Sequence, residues 1–447
     1  MKKTVYKTIT AALTFFILFT AGCDLDPPLP VSPLPRLPAP IPLAVLEWIS
    51  IPMETADPLN NTLPLGWSPS VYRGHTPCPS FTENTPVFTW PVDGPGGKSG
   101  ARVSVTGAII HSYTGHLGGN SGDGDAKWSF QPITLLQGRD YVFSSWYRSN
   151  VDTMVVLAVD FGAGRTRGFY RLPYAPASEV WTEYKTTFTM PKHGEKVTIY
   201  HILQTNGWLE ISGYRFGLFN PIGFNQGIVT ITFDDGWEIN YDTALPVMQQ
   251  FGFKSDQFLT VQFIGDNPGG PTWSKSRIQM FINSGHEIGS HSMTHPYLTA
   301  LPPQRVIDEI ADSRRFLEDF FDVTVRHFAT PYGVYNTFVN DTVMRNYDTH
   351  ITVDTGFNSM NNLNPRQLKR MCILNDTPIE EFEWWVNKAR EERLWLILLY
   401  HRVYRDNNDP GRDHTTLARF KEQMEAIRRS GIQVLTMTEA VMAITGQ

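Results

Sequence analysis

The sequence predicts a multidomain protein in which an N-terminal antiparallel β-sandwich of jelly-roll type precedes a C-terminal distorted β/α barrel. Three observations predict it. The chain has 447 residues, more than one hydrophobic core usually fills. Between about residues 87 and 219, short runs alternate apolar and polar side chains with period two, separated by turn residues. After Gly223, strand-length apolar runs alternate instead with amphipathic segments of helical length, the pattern of parallel β/α units.

In chain order the expected segments are 1–23, 24–86, 87–222 and 223–447. Lys2, Lys3 and Lys7 precede an apolar run from Ile9 to Ala21 that ends in Ala21-Gly22-Cys23. These are the charged, apolar and small-residue zones of an export signal, too short for a stable membrane span. A cysteine directly after the small residues resembles a bacterial lipoprotein signal, although Thr20 stands where that pattern is normally Leu-like. The resemblance implies lipidation of Cys23 and an extracytoplasmic protein held to a membrane by that lipid; plain secretion is the alternative. From Pro27 to Pro42 every second or third residue is proline, which reads as an extended polyproline stalk. Residues 43–86, rich in Pro, Asn and Ser, carry no assignable fold.

The sandwich strands are expected at 102–106, 141–147, 154–159, 181–188, 197–200 and 209–216. Their order looks like that of the sandwich carbohydrate-binding modules attached to polysaccharide-active enzymes. Trp128, Trp146 and Trp208 are candidate sugar platforms, with burial in a core as the competing reading. In the C-terminal half, strands are expected at 228–233, 256–263, 286–288, 325–329, 349–353, 394–400 and 433–435. Helices are expected at 241–251, 275–284, 304–320, 379–393 and 417–429. In such an architecture the working residues sit at the C-terminal ends of the strands.

Composition removes some function classes. With 38 Lys and Arg against 44 Asp and Glu and no basic stripe, nucleic acid is excluded as a partner. Cys23, Cys78 and Cys372 are the only cysteines and do not form a disulfide framework.

Two constellations carry chemistry. Ile231-Thr232-Phe233-Asp234-Asp235-Gly236 places adjacent carboxylates at the end of an apolar strand. Like charges so close repel unless a cation or proton separates their roles, so a metal is the economical explanation, although Asp-Asp-Gly is also an ordinary turn sequence. The second is Gly285-His286-Glu287-Ile288-Gly289-Ser290-His291-Ser292-Met293-Thr294-His295. His291 and His295, four apart, would share one face of a helical turn ended by Pro296. Two imidazoles and a carboxylate make the three-ligand set with an open position that catalytic zinc uses. His286, before that turn, reads as a strand-end residue. His401 ends the apolar run Leu396-Ile397-Leu398-Leu399-Tyr400, at the mouth of the expected barrel.

Taken in order, these motifs resemble the polysaccharide deacetylase family, which includes chitin, peptidoglycan and poly-N-acetylglucosamine deacetylases and some acetylxylan esterases. The resemblance runs from about Gly227 to the C-terminus and continues in Phe328-Ala329-Thr330-Pro331-Tyr332-Gly333 and in Leu399-Tyr400-His401-Arg402-Val403. It implies a divalent metal, most simply zinc, held by Asp235, His291 and His295. It further implies Asp234 as general base, His401 as general acid and the Tyr332 backbone N–H as an oxyanion donor. The substrate it implies is an acetylated polysaccharide, most simply the N-acetyl groups of an amino-sugar polymer. O-acetyl groups of a xylan-like polymer and a non-catalytic glycan-binding lipoprotein are the alternatives. One family position departs: an Arg usually occupies the place of Ala329 and pairs with the general base. Arg370, in Leu368-Lys369-Arg370-Met371, is the expected substitute beside Asp234.

Overall fold

The computed structural model describes residues 34–72, 86–106, 125–162, 167–265, 273–405 and 411–446. The export signal, Cys23 and Cys78 lie outside the described residues. From Leu34 onward the chain forms one compact unit.

Its C-terminal half is a closed ring of seven parallel strands. Ile228–Phe233, Asp256–Leu259, Glu287–Ser290, His327–Ala329, Thr349–Thr355, Leu368–Cys372 and Trp395–Tyr400 pair in sequence, and the last returns to the first. The ring is irregular at one seam. The second strand meets only the upper end of the first, at Thr232 and Phe233, while Gln433–Val434 pairs with its lower end at Ile228 and Val229. Strand alternation sets two cores. Val229, Ile231 and Phe233 point outward, where they share one apolar cluster with Val306 and Ile310 of the helix Pro303–Phe321 and Phe420 of the helix Leu417–Ser430. Ile228, Ile351, Leu368, Trp395 and Ile397 point inward and fill the lower barrel. Above them the interior turns polar, with Thr230, Thr232 and Arg370 all buried.

The strand Leu368–Cys372 and the helices Thr337–Asn346 and Met437–Thr445 carried no signal in the sequence reading. Lys369 and Arg370 make that strand look polar, yet both are buried because each finds a polar partner at a seam or on the barrel axis. The stretch 256–263 is a strand only to Leu259, and Val261–Phe263 is a 3-10 turn that bends away at the barrel mouth.

The N-terminal region is built on two larger antiparallel sheets. One carries Ser178–Thr189, Asp140–Ser149, Gly207–Phe219, Ser99–Val105 and Val87–Asp93 in that order; the other carries Gly168–Ala175, Thr153–Asp160, Lys196–Ile202 and Ile133–Thr134. Val103, Phe143, Ile211 and Phe216 of the first share one apolar core with Val155, Leu157, Leu172 and Ile199 of the second. Trp128 belongs to that core, with its indole N–H donated to the Arg102 carbonyl at 3.0 Å, so it is no sugar platform. Trp146 and Trp208 are half-buried, the latter under the Arg102 guanidinium.

The reading of 24–86 as stalk and unassigned linker needs correction from residue 34. Leu34 and Leu37 pack into the lower barrel core beside Phe224 and Trp395. A polyproline helix repeats every three residues, so these two leucines share a face and give the proline-rich segment an apolar side. Asn361 holds its end by donating to the Ile41 carbonyl at 3.2 Å. Val45–Ile51 then pairs with Gly207–Phe219, and Trp67–Tyr72 with Asp125–Phe130.

Candidate active site

The first barrel strand ends at Phe233, just before Asp234, and the chain then turns because Asp235 and Gly236 both take left-handed backbone, each at φ 75°. Non-glycine residues avoid that region, and among the described residues only six occupy it. Four of the six (Asp235, Ser292, His295 and Tyr332) stand on loops at the barrel mouth, which is where strained backbone is held to place side chains. The handedness at Asp235 sends the two neighbouring carboxylates to different partners.

Asp234 lies inside the barrel, 3% exposed, and receives both ends of the Arg370 fork: Nη1 to Oδ1 and Nη2 to Oδ2, each at 2.9 Å. Arg370 is fully buried and its Nε donates to the Thr352 carbonyl at 2.8 Å, which locks the fork toward Asp234. Burial pushes the Asp234 carboxyl up. The Arg370 guanidinium outweighs this and holds it below the ordinary carboxylate range. Ala329, also fully buried, is too short to supply such a group, and the cation comes from two strands further round the ring.

Asp235 faces the histidines. Its Oδ1 lies 3.4 Å from His291 Nε2 and 3.1 Å from His295 Nε2. One donor atom from each of the three side chains falls within 4.8 Å of the others. The expected helical turn is not what brings the imidazoles together. The strand Glu287–Ser290 is followed by a loop in which Ser292 (φ 71°) and His295 (φ 59°) are left-handed, and the Ser292 hydroxyl accepts the His295 N–H at 3.0 Å. His286, before the loop, accepts the Ser255 N–H at 3.0 Å and stays away from the mouth.

This donor set fits a metal ion. His291 Nδ1 stands 2.8 Å from the Ala329 carbonyl and must donate to it, so a neutral imidazole turns its Nε2 lone pair toward the Asp235 carboxylate. Two acceptors face each other, an arrangement that calls for a cation between them. Ligands about 2.1 Å from a tetrahedral ion lie roughly 3.4 Å apart, close to the separations found. Trp237, which the sequence reading passed over, donates its indole N–H to Asp235 Oδ2 at 2.9 Å and leaves Oδ1 to the histidines. Its signal was an indole donor two residues after the carboxylate pair.

His401 follows the last barrel strand and is half-buried. Among the described residues its buried Nδ1 has no hydrogen-bond partner. Asn240 fixes its backbone by donating to the His401 carbonyl at 2.6 Å while accepting the Val403 N–H at 2.9 Å. Tyr332 sits in the tight turn Pro331–Gly333 with φ 58°. Its ring stacks on Tyr297 at 4.0 Å and meets the His295 ring edge-on at 4.5 Å. Asp234, Asp235, His291, His295, Tyr332, Arg370 and His401 thus converge on one end of the barrel; Cys23 lies outside the described residues.

A parallel barrel whose mouth holds a paired buried carboxylate, an Asp-His-His donor set and a free histidine has the parts of a metal-assisted hydrolase. Residues 223–349 match the family model of polysaccharide deacetylases, so the chain contains a polysaccharide deacetylase domain. A putative polysaccharide deacetylase, YxkH, of Bacillus subtilis is 32% identical over 112 residues, 25% of this chain and 39% of that protein. A peptidoglycan-N-acetylglucosamine deacetylase of Bacillus cereus is 27% identical over 122 residues, 27% of this chain and 52% of that protein. The chain therefore spans less than two thirds of the length of these relatives. Among solved structures, the Xyl-CE4 domain of a multidomain xylanase from the hindgut metagenome of Trinervitermes trinervoides aligns over 50% of this chain and 92% of its own, at 19% identity and a TM-score of 0.37.

Proposed function

We propose that this protein hydrolyses acetyl groups from a polysaccharide, acting on the N-acetyl groups of an amino-sugar polymer. The observation that carries the reading is the division of labour between neighbouring carboxylates: Asp234 is clamped and ionised by Arg370, while Asp235 is shared with His291 and His295. A bound divalent ion, most simply zinc, would be held by Asp235, His291 and His295 and would supply Lewis acidity toward the acetyl carbonyl.

The chain's own groups do the rest. Asp234, kept as carboxylate, takes the proton from the attacking water. The Tyr332 N–H, on the turn whose ring meets His295, stabilises the negative charge that develops on the acetyl oxygen. His401 hands a proton to the departing sugar nitrogen, and acetate and a free amine result. We further propose that 223–447 is the catalytic domain, that 87–222 is a sandwich that grips the glycan, and that lipidated Cys23 holds the protein to a membrane outside the cytoplasm.

The test is acetate release from N-acetylglucosamine oligomers and from acetylated xylan, after metal stripping and after zinc is restored. Release from the oligomers, dependent on zinc and lost in Asp234→Asn with zinc binding retained, is the expected result. Release from xylan alone would reassign the substrate to O-acetyl esters, and no release from either would leave a glycan-binding protein.

A further inference from the structure

Arg171 lies in the strand Gly168–Ala175 of the N-terminal region, more than 150 residues before the turn that carries Tyr332. Its strand neighbour Leu172 points into the N-terminal core, so alternation turns Arg171 the other way, toward the barrel. The Arg171 Nη1 donates to the Tyr332 carbonyl at 3.0 Å. Three residues on, the Tyr174 ring meets the Tyr335 ring edge-on at 5.2 Å, and the Tyr335 hydroxyl donates to Asp354 at the end of the fifth barrel strand at 2.6 Å. The same strand packs along Thr349–Thr355. The N-terminal region therefore touches the barrel at the loop that borders the metal-binding cluster.

From these contacts we infer that Arg171 is a positioning residue of the deacetylase site, holding the Tyr332 turn in the conformation that aims its N–H at the acetyl oxygen. The inference rests on the proposed deacetylase reading. The turn has reason to need a clamp. Tyr332 occupies left-handed backbone that a residue with a Cβ adopts only under constraint. On the barrel side it is held by the Gly333 N–H to the Thr330 carbonyl at 2.9 Å and by the stack of Tyr332 on Tyr297. The first of these holds the N–H edge of the Tyr332–Gly333 peptide. Arg171 holds the opposite edge by binding the carbonyl of that peptide, so the plane is pinned on both sides, and a change in it is passed through the Tyr332 Cα to the peptide that carries the Tyr332 N–H.

The experiment compares the full-length parent with Arg171→Met and Arg171→Lys by three readouts: steady-state acetate release, zinc affinity, and hydrogen exchange of the peptide spanning residues 328–336. The inference expects Arg171→Met to lower kcat roughly 10- to 100-fold, part of what an oxyanion donor supplies, with KM within about threefold of the parent. It also expects unchanged zinc affinity and faster exchange confined to residues 328–336, and Arg171→Lys, which keeps one donor, should recover most of kcat. Parental kcat in Arg171→Met, or a rise in KM alone, would overturn it. Should Arg171→Met unfold, Arg171→Lys decides: near-parental kcat and exchange support the inference, and a loss as deep as removing the side chain overturns it. Should the parent release no acetate from any substrate, the deacetylase reading falls. Exchange still judges the clamp in that case, because protection at 328–336 that is unchanged in Arg171→Met refutes it.

Discussion

Replacing Arg370 by methionine isolates the most consequential interaction at the site. The substitution keeps much of the side-chain volume and removes the fork that binds both oxygens of Asp234 at 2.9 Å. Asp234 is 3% exposed and Arg370 fully buried, so the carboxylate would be stranded without water to replace its partner. Removing one member of such a pair costs about 3–5 kcal/mol. With about 2 cal/mol/K of unfolding entropy per residue over the Leu34–Gln447 unit, the melting temperature should fall by roughly 3–6 °C. The pH dependence should invert as well. In the parent the folded pKa of Asp234 lies below its unfolded value, so the pair's contribution is whole above about pH 4 and is lost as pH falls through the lower folded value. In Arg370→Met burial is left as the largest influence and the folded pKa rises above the unfolded one. The variant then loses stability relative to the parent as pH rises past about 4, and the acid limb of kcat moves upward. Melting curves and acetate-release rates from pH 3 to 8 measure both effects. Adding Asp234→Asn to Arg370→Met should restore part of the lost stability, because a neutral amide is cheaper to bury than an unpaired charge. An unshifted acid limb together with a parental melting temperature would refute the clamp.

Trp237→Phe keeps the ring but removes the indole N–H from Asp235; zinc affinity by calorimetry should weaken about 10- to 100-fold, with a melting temperature near the parent's. Gly333→Ala should be severe, since a Cβ there would lie 2.2 Å from Val353 Cγ2 in backbone at φ 63°, and loss of acetate release with retained zinc binding is the expected outcome. Lys369, buried at the seam where its Nζ meets Thr187, has its pKa pushed down by burial to about 8. A depressed lysine penalises the fold while charged and is relieved as pH rises from 8 toward its unfolded value, so the stability gap between Lys369→Met and the parent should change across that window in urea titrations.

The parts of the site that the sequence displays are those built from contiguous motifs. Adjacent carboxylates ending an apolar strand, and two histidines four apart before a proline, are improbable unless chemistry requires them. The way the histidines converge was misjudged, because a four-residue spacing suits a helix and nothing local announces left-handed backbone at Ser292 and His295. Arg370 stood out only because Ala329 left a charge without a partner; its bidentate geometry depends on two non-adjacent strands facing each other across the barrel interior. Arg171 and Trp237 were hidden for different reasons. Arg171 acts across more than 150 residues, and Trp237 works through a single ring N–H that composition does not distinguish from packing. In the fold, period-two runs and amphipathic helices were readable because burial imposes them. The strand Leu368–Cys372 hid because its two buried cations mimic a surface segment.

The lower barrel has a consequence for the ions of the surrounding solution. Leu34, Phe224, Ile228, Leu368 and Trp395 seal the end opposite the site with hydrocarbon, so the polar column from Thr230 through Thr232 to Arg370 and Asp234 can meet solvent only at the mouth. Counterions screen charges that water can surround, and this pair sits in a well with one opening. Salt should therefore leave the protonation of Asp234 nearly untouched. Proton transfer at this site would then answer to the pH of the medium and hardly at all to its ionic strength.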